Sequence, residues 1–417
     1  MNRTDHLITR AAQFFDHPRF RNAGEAIAKK RSGLGLVFWF TGLAGRLRLG
    51  NMALIVFVTL FYGVFRRPLS GPVFQYGMSA NNIRSFRRIN ACAGRSDLDE
   101  RINGVPLPLR ARLRALGSVK RLWHVSGVLR RHKASNGFSR AQLVICGAAW
   151  LIYSTEDLSE IRVLCVASDH SPIKMALLHI ARERQIQTCY LQHAPVADYF
   201  PPLDYDLAVL FDEHSHAIYQ RAAAHREVES RASVQILPPF EENASPMRLD
   251  SPPFRTGIFL SYLFDAPALE KLILILSGHP GVSDIFIRRH PRCKADLSDL
   301  LARPCVFEPP HAEMGAFLDK CDLALVPNSG AAIEALHLGV PTFYTPGMDG
   351  IEYDYYGFVA EGIVPLFDPA VLADSEQVTR FFDKEWKQQF ARYDSTVKTD
   401  LGVARQAAGE AYLELMR

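Results

Sequence analysis

From Pro72 to Tyr344 the chain repeats one rhythm: a short run rich in Val, Ile, Leu, Phe or Tyr, a segment with helical spacing, then another short run. Strands separated by helical crossovers pair in parallel, so the rhythm restricts the fold class to α/β, with open parallel sheets. In the first half the predicted strands are Val73–Tyr76, Ile161–Ala167, Thr188–Gln192, Leu207–Phe211 and Val234–Leu237. Helices are predicted over Asn81–Asn90, 139–153 with Ser139 as N-cap, and Ile173–Arg184. Residues 238–253 (PPFEENASPMRLDSPP) hold five prolines and break the rhythm, as a linker does. A second series follows, with strands Thr256–Ser261, Ile285–Arg288, Cys305–Glu308, Leu323–Val326 and Thr342–Tyr344. Its helices are Pro267–Ser277, Ala312–Lys320 and Gly330–Leu338, and the stretches 375–392 and 399–416 also read as helical. The expectation is two doubly wound, Rossmann-like domains, 71–240 and 254–370, with an N-terminal region 1–70 and C-terminal helices 371–417. Open sheets of this kind bind ligands at the carboxyl ends of their strands.

Charge is segregated along this frame. The 417 residues carry 48 Lys and Arg against 44 Asp and Glu, yet residues 1–140 hold 25 against 6 and the remainder 23 against 38. A basic end points to a polyanionic partner. The Arg-rich stretch 84–140 contains no recognisable RNA- or DNA-binding motif, so nucleic acid is not expected. An anionic membrane surface is the other choice. Two apolar runs, 34–45 and 52–65, lie among Lys29, Lys30, Arg31, Arg46, Arg48, Arg66 and Arg67, with Phe38, Trp39, Phe40, Phe61 and Tyr62 as aromatics suited to an interface. Neither run reaches the roughly 20 residues of a spanning helix. Buried core helices and a hairpin dipping into one leaflet are both open readings. Seven cysteines without a C-x-x-C pair, most in apolar runs, read as buried free thiols in a reducing compartment. Met1–Arg10 has no secretory pattern, which makes the cytoplasm the expectation, with peripheral attachment to the inner membrane face as its extension.

Four strand ends carry the chemistry. Asp322–Pro346 (DLALVPNSGAAIEALHLGVPTFYTP) runs from a strand through Asn328-Ser329-Gly330 into a helix that Gly339 stops. Free N–H groups at the helix start, the Ser329 hydroxyl and the bare Gly330 suit a phosphate, although Asn328 or Ser329 as a plain cap is the commoner meaning of such a turn. A second strand ends in Arg288-Arg289-His290-Pro291, where an imidazole beside two guanidinium groups can donate to a phosphate oxygen. In the first domain Ser168-Asp169-His170 and Gln192-His193-Ala194-Pro195 follow strands; Asp169 and His193 are bases within the right chemistry, or a helix cap and a turn residue. Asp204-Tyr205-Asp206 precedes a strand and reads as a loop, not a metal motif; neither metal nor cofactor is expected. The run Asp349–Tyr356 (DGIEYDYY) is either a ligand-touching loop or a solvated one.

The Asn328-Ser329-Gly330 turn, the segment Glu334-Ala335-Leu336 and the turn Gly339-Val340-Pro341 resemble the nucleotide-binding domain of GT-B glycosyltransferases. With Arg288, His290 and Pro291 about 40 residues upstream, they are similar to the His-Pro and Ser/Thr motifs of capsule polysaccharide sialyl- and Kdo-transferases and of teichoic acid glycerophosphotransferases. The resemblance covers roughly residues 160–370 and implies a GT-B fold with two domains facing a cleft. It also implies an inverting, metal-independent transfer of a sugar from a nucleotide donor, CMP-linked, to a bacterial surface glycan or glycolipid. In that group Glu334 meets the ribose, Arg288, His290, Ser329 and Gly330 hold the nucleotide phosphate, and His193 of the Gln-His element is the acceptor base, with Asp169 as alternative base or orienting partner. Two departures matter: Ala194 stands where the group has glycine, and Val326 replaces the first glutamate of the retaining E-x7-E pattern. Two other functions stay open. One is a UDP-N-acetylglucosamine 2-epimerase-like enzyme, whose family shows a doubled glycine and paired glutamates where this chain has Ser329-Gly330-Ala331-Ala332 and a single Glu334. The other is a non-catalytic scaffold of glycan export.

Overall fold

The computed structural model of the protein describes residues 3–22, 24, 34–132, 134–168, 170–226, 230–248, 250–262, 264–310 and 313–417. The chain divides into two compact units. The first comprises 1–211, 215–239 and 402–417; the second comprises 212–214 and 240–401.

In the first unit helices α1 (Arg3–Phe15), α2 (Leu34–Ala44) and α3 (Arg48–Phe61), with a further helical stretch at 18–22, come before any strand. Strand β1 (Val73–Tyr76) is followed by α4 (Ala80–Cys92), α5 (Leu109–Leu116), α6 (Val119–Arg131) and α7 (Gly137–Tyr153). Then come β2 (Val163–Val166), α8 (Pro172–Glu183), β3 (Gln187–Leu191), β4 (Leu207–Leu210) and β5 (Ser233–Ile236). All five strands pair in parallel in the order β1-β2-β3-β4-β5. Because side chains alternate across a strand, Val163, Cys165, Cys189, Leu191, Leu207 and Val209 share one face, where Phe86 and Ile89 of α4 cover them. Leu164, Val166 and Tyr190 point to the other face, against which α8 lies, and α7 packs on α8. Asn136, not Ser139, caps α7: its side chain accepts the Ser139 N–H at 2.8 Å, and the Ser139 hydroxyl instead donates to the Phe15 carbonyl at 2.7 Å.

The second unit strings β6 (Phe254–Phe259), α9 (Ala266–Ser277), β7 (Val282–Arg288), β8 (Val306–Phe307), β9 (Leu323–Val326), α10 (Ala331–His337) and β10 (Thr342–Tyr344). Its sheet is parallel throughout in the order β8-β7-β6-β9-β10. The order reverses between β6 and β9, which is the place where an open α/β sheet leaves a crevice at its carboxyl edge. Gly339 ends α10 with φ +75°, a conformation in which a side chain would also run into the Pro246 carbonyl.

Two segments differ from the sequence expectation in where they belong. Residues 240–248, read as part of a linker, are laid along the second unit: Phe240 stacks 3.6 Å from the His337 ring, the Ser245 N–H donates to the His337 carbonyl, and buried His337 meets buried Asp394 at 2.7 Å. The last helix, α11 (Leu401–Met416), returns to the first unit, where Tyr412 is fully buried and receives the Gln75 amide at 3.0 Å. Gly409 permits that seat, since a Cβ there would lie 2.3 Å from the Cys92 carbonyl oxygen.

Candidate functional site

The predicted residues of the second unit gather at the carboxyl edge of its sheet. Strand β7 ends at Arg288, half-buried, with its guanidinium 5.5 Å from the Phe317 ring. Arg289 turns away, donating to the Ala295 carbonyl and pairing with Glu308. Half-buried His290 follows, and exposed Pro291 turns the chain. The His290 Nδ1 accepts the Arg292 N–H at 3.1 Å, so the neutral ring carries its proton on Nε2. Burial, and secondly the Arg292 charge, hold the imidazole below its ordinary pKa. His290 is thus a neutral donor near pH 7. The Arg292 guanidinium lies 4.5 Å from the Tyr262 ring.

On the far side of β6, strand β9 ends at Val326 and the turn Asn328-Ser329-Gly330 leads into α10. Gly330 has ordinary helical dihedrals (φ −62°, ψ −15°), so its value there is the missing side chain and not a left-handed backbone. The Ser329 Oγ accepts the Ala331 N–H at 3.2 Å and keeps its own hydrogen as a donor. Glu334 sits half-buried in the first turn of the seven-residue α10.

Asn328 has a task that its sequence position does not reveal. Its amide donates to the Tyr344 hydroxyl at 3.1 Å and its carbonyl oxygen accepts the Tyr355 N–H at 2.7 Å, while the Tyr344 hydroxyl donates to the Tyr353 carbonyl at 3.0 Å. The same residue bonds Asp349, whose carboxyl burial pushes above its usual range despite hydrogen bonds from Ile351 and Asn328. Asp354 then takes the N–H groups of Phe358 and Val359 at 3.0 and 2.7 Å. The acidic-aromatic run is therefore a pinned loop over the strand ends, not a solvated one. Asn328 positions that loop.

The strand ends of the first unit hold a second cluster. Gln192 is buried: its Nε2 reaches the Ala194 carbonyl at 3.0 Å and the Ser215 hydroxyl at 2.9 Å, its Oε1 accepts the Phe211 N–H at 2.7 Å, and its own carbonyl accepts from Ser85 at 2.9 Å. That frame fixes half-buried His193 at the end of β3. At the end of β2, Ser168 is buried and His170 packs on Phe200 at 4.6 Å, while Asp169 lies outside the described residues. Sequence reasoning passed over Lys174 and Asn82 here. Lys174 is buried, 3.5 Å from the Asn82 Oδ1, and Asn82 donates to the Ala167 carbonyl at 2.7 Å. A lysine on the inner side of an apolar helix was the available signal.

Asp204 pairs with Arg10 and Arg182, and Asp206 accepts both the N–H and the hydroxyl of Thr188, so both carboxylates of the D-x-D stretch are engaged inside the first unit. Among the described residues no group of three His, Cys, Asp or Glu converges as metal ligands would. All seven cysteines are free thiols, and burial pushes Cys146 and Cys321 up to about 12.

No protein-family profile matches the chain, and no curated protein matches it in sequence. Solved structures do. CalG4, the calicheamicin glycosyltransferase, aligns over 83% of this chain and 98% of its own with a TM-score of 0.50 at 13% identity. The wall teichoic acid polymerase TagF aligns over 95% and 98% (TM-score 0.43, 11% identity), and MurG of Acinetobacter baumannii over 83% and 99% (TM-score 0.39, 12% identity). With its two parallel, Rossmann-like sheets, the chain has the fold of GT-B glycosyltransferases.

Proposed function

We propose that the chain is an inverting, metal-independent glycosyltransferase that moves a sugar from a nucleotide donor, CMP-linked, to a bacterial surface glycan or glycolipid. The observation that supports this most is the pairing, on the carboxyl edge of one parallel sheet, of His290 after β7 with Asn328-Ser329-Gly330 after β9, the two strands that flank β6. In this reading the Nε2–H of His290 donates to a phosphate oxygen of the donor, Arg288 and Pro291 shape the same turn, and the Ser329 hydroxyl with the N–H groups after Gly330 holds the phosphate from the other strand. Glu334 meets the ribose, and Asn328 keeps the 349–356 loop in register around the nucleotide. In the first unit His193 takes the proton of the acceptor hydroxyl, with Asp169 as the alternative base or its orienting partner. The acceptor oxygen bonds to the anomeric carbon as that carbon's bond to the phosphate oxygen breaks, and the nucleotide leaves with the electron pair, its charge met by preorganised donors.

The test is a titration of the purified chain with CMP, CDP and UDP. Binding of CMP in preference to the other two is expected, weakened by His290→Ala. Failure of all three to bind overturns the reading, and a preference for UDP removes the CMP assignment.

A further inference from the structure

The outermost helices of the first unit break the rule that governs the rest of the molecule. Helix α3 is built inside out: Asn51, Ile55 and Thr59 are each fully buried, whereas Leu49, Phe57 and Phe61 are 69%, 62% and 70% exposed. Its inward polar groups are satisfied only in part, since the Asn51 Oδ1 and the Thr59 hydroxyl are buried without a hydrogen-bond partner among the described residues. The Asn51 amide donates to the Gly45 and Leu47 carbonyls at 2.8 and 3.1 Å, and the buried Arg112 guanidinium covers the Leu60 and Tyr62 carbonyls at the helix end, at 2.9 and 3.2 Å. Helix α2 (LGLVFWFTGLA) carries no charge, and its one hydroxyl, Thr41, is folded back onto the Val37 carbonyl at 2.7 Å. Trp39 and Phe40 stand 64% and 58% exposed on it. A helix apolar on all sides is expected in a core or in lipid, and α2 is not in the core. The exposure is concentrated: of the 21 large apolar side chains exposed among the described residues, 16 fall between Leu36 and Trp123.

The charges around this face have one sign. There is no Asp or Glu in residues 26–96 or 101–155, which hold 21 Lys and Arg. Exposed Arg46 lies in the α2–α3 turn, and Arg110, Arg114, Lys120 and Arg121 are exposed on the neighbouring α5 and α6. Arg48 ties the layers together, with its guanidinium 3.7 Å from the Trp123 ring and donating to the Trp123 carbonyl at 2.8 Å.

We propose that α2 and α3 form a monotopic membrane dock: their apolar outer faces enter one leaflet of an anionic bilayer while the surrounding guanidinium groups meet lipid phosphates. Helices of 11 and 14 residues are about 16 and 21 Å long, short of the roughly 30 Å hydrocarbon core, and no described helix is long and apolar enough to cross it. The basic rim selects the occupant. Two copies pairing through this face would bring like charges together, whereas an anionic lipid surface neutralises them and accepts the aromatic side chains without asking for hydrogen bonds. This inference stands on the helices alone and does not depend on the transferase reading.

The experiment is flotation of the full chain with vesicles of phosphatidylcholine alone and of phosphatidylcholine mixed with phosphatidylglycerol, at low and high salt. The chain is expected to float with the mixed vesicles, to bind the neutral ones at least about tenfold more weakly, and to keep part of its binding in high salt because the apolar contact is not screened. The double variant Trp39→Glu, Phe57→Glu is expected to lose at least about tenfold in vesicle binding while its melting curve and circular dichroism match the parent, since both side chains are exposed. A chain that floats with neither vesicle, or a folded double variant that floats like the parent, overturns the proposal. So does a lipid-free dimer that the same substitutions dissolve, which would make a second copy the occupant.

Discussion

Helices α3 and α9 are similar in length and in their content of Leu, Ile, Val and Phe, and they obey opposite rules. In α9 the residues Leu269, Leu272, Ile273 and Leu276 enter the core of the second unit, and Glu270 and Lys271 take the water side together with Leu274 and Ile275. In α3 the inward positions hold Asn51 and Thr59 beside Ile55, and the outward ones hold Leu49, Phe57 and Phe61. The difference teaches that the apolarity of a segment does not say what covers it. What decides is the direction of the apolar face relative to the rest of the protein. In the second unit that face points at a sheet and stabilises the platform on which His290 and Ser329 stand; in the first it points outward.

The proposed nucleotide site lies in the second unit and the proposed membrane face in the first, which also holds the proposed base His193, and the sharpest way to break the comparison is to strike the nucleotide site and the outward face separately. His290→Ala should lower turnover on a soluble acceptor by about 100-fold or more, the effect of removing one preorganised donor from a developing anion, while Trp39→Glu should leave that rate within about twofold. Equal losses in both would merge the two roles. Stability makes the next contrast. Leu269→Ala removes a fully buried side chain and should cost about 3 kcal/mol in urea unfolding. Phe57→Ala, at a 62% exposed site, should change the lipid-free protein by no more than about 0.5 kcal/mol. A Phe57 effect as large as that of Leu269 would return α3 to the ordinary core.

A third substitution probes the pinned loop. Asn328→Leu removes the acceptor of the Tyr355 N–H and the donor to the Tyr344 hydroxyl, which keeps its bond to the Tyr353 carbonyl. The expected loss is about 1–3 kcal/mol, accompanied by faster proteolysis within 345–362 and weaker nucleotide binding. Intact loop protection would show that Asn328 is dispensable as a bracket.

Much of the frame could be read from the sequence, because parallel strands buried on both faces are written as short β-branched and aliphatic runs with clear stops. Strands Val73–Tyr76, Leu323–Val326 and Thr342–Tyr344 have the bounds that the pattern gives, and Gly339 stops α10 as its position suggests. The cap of α7 was misplaced by three residues, since Ser139 and Asn136 both suit the position and only the approach of Phe15 gives Ser139 another partner. The site was legible as motifs and not as a network. Nothing local tells that Asn328 reaches across to Tyr344 and Tyr355, because that bond is made by β9, β10 and a loop meeting in space. The inverted face of α3 was hidden for a related reason: hydropathy alone does not say which side of the helix turns outward, and only the burial of Asn51 and Thr59 shows that Leu49, Phe57 and Phe61 do.

A smaller effect than that of Asn328→Leu concerns Asp349, in the loop that Asn328 holds. Burial raises its carboxyl in the folded chain above the unfolded value of about 3.9, so the folded state holds that proton more tightly than the unfolded one. Stability from such a group is fully present below the unfolded pKa and is lost as pH rises through the folded one. At pH 7 the charged carboxylate is therefore a mild burden on the folded loop. Asp349→Asn keeps an oxygen to accept the Ile351 N–H, now at 3.1 Å, and carries no charge to bury. The variant should be more stable than the parent at pH 7 by under about 1 kcal/mol, and the advantage should shrink as the pH is lowered toward 4. Urea midpoints across that range check it. A variant less stable than the parent at pH 7 would mean that the hydrogen bonds to the carboxylate outweigh its desolvation, and that the loop is held by its charge instead of in spite of it.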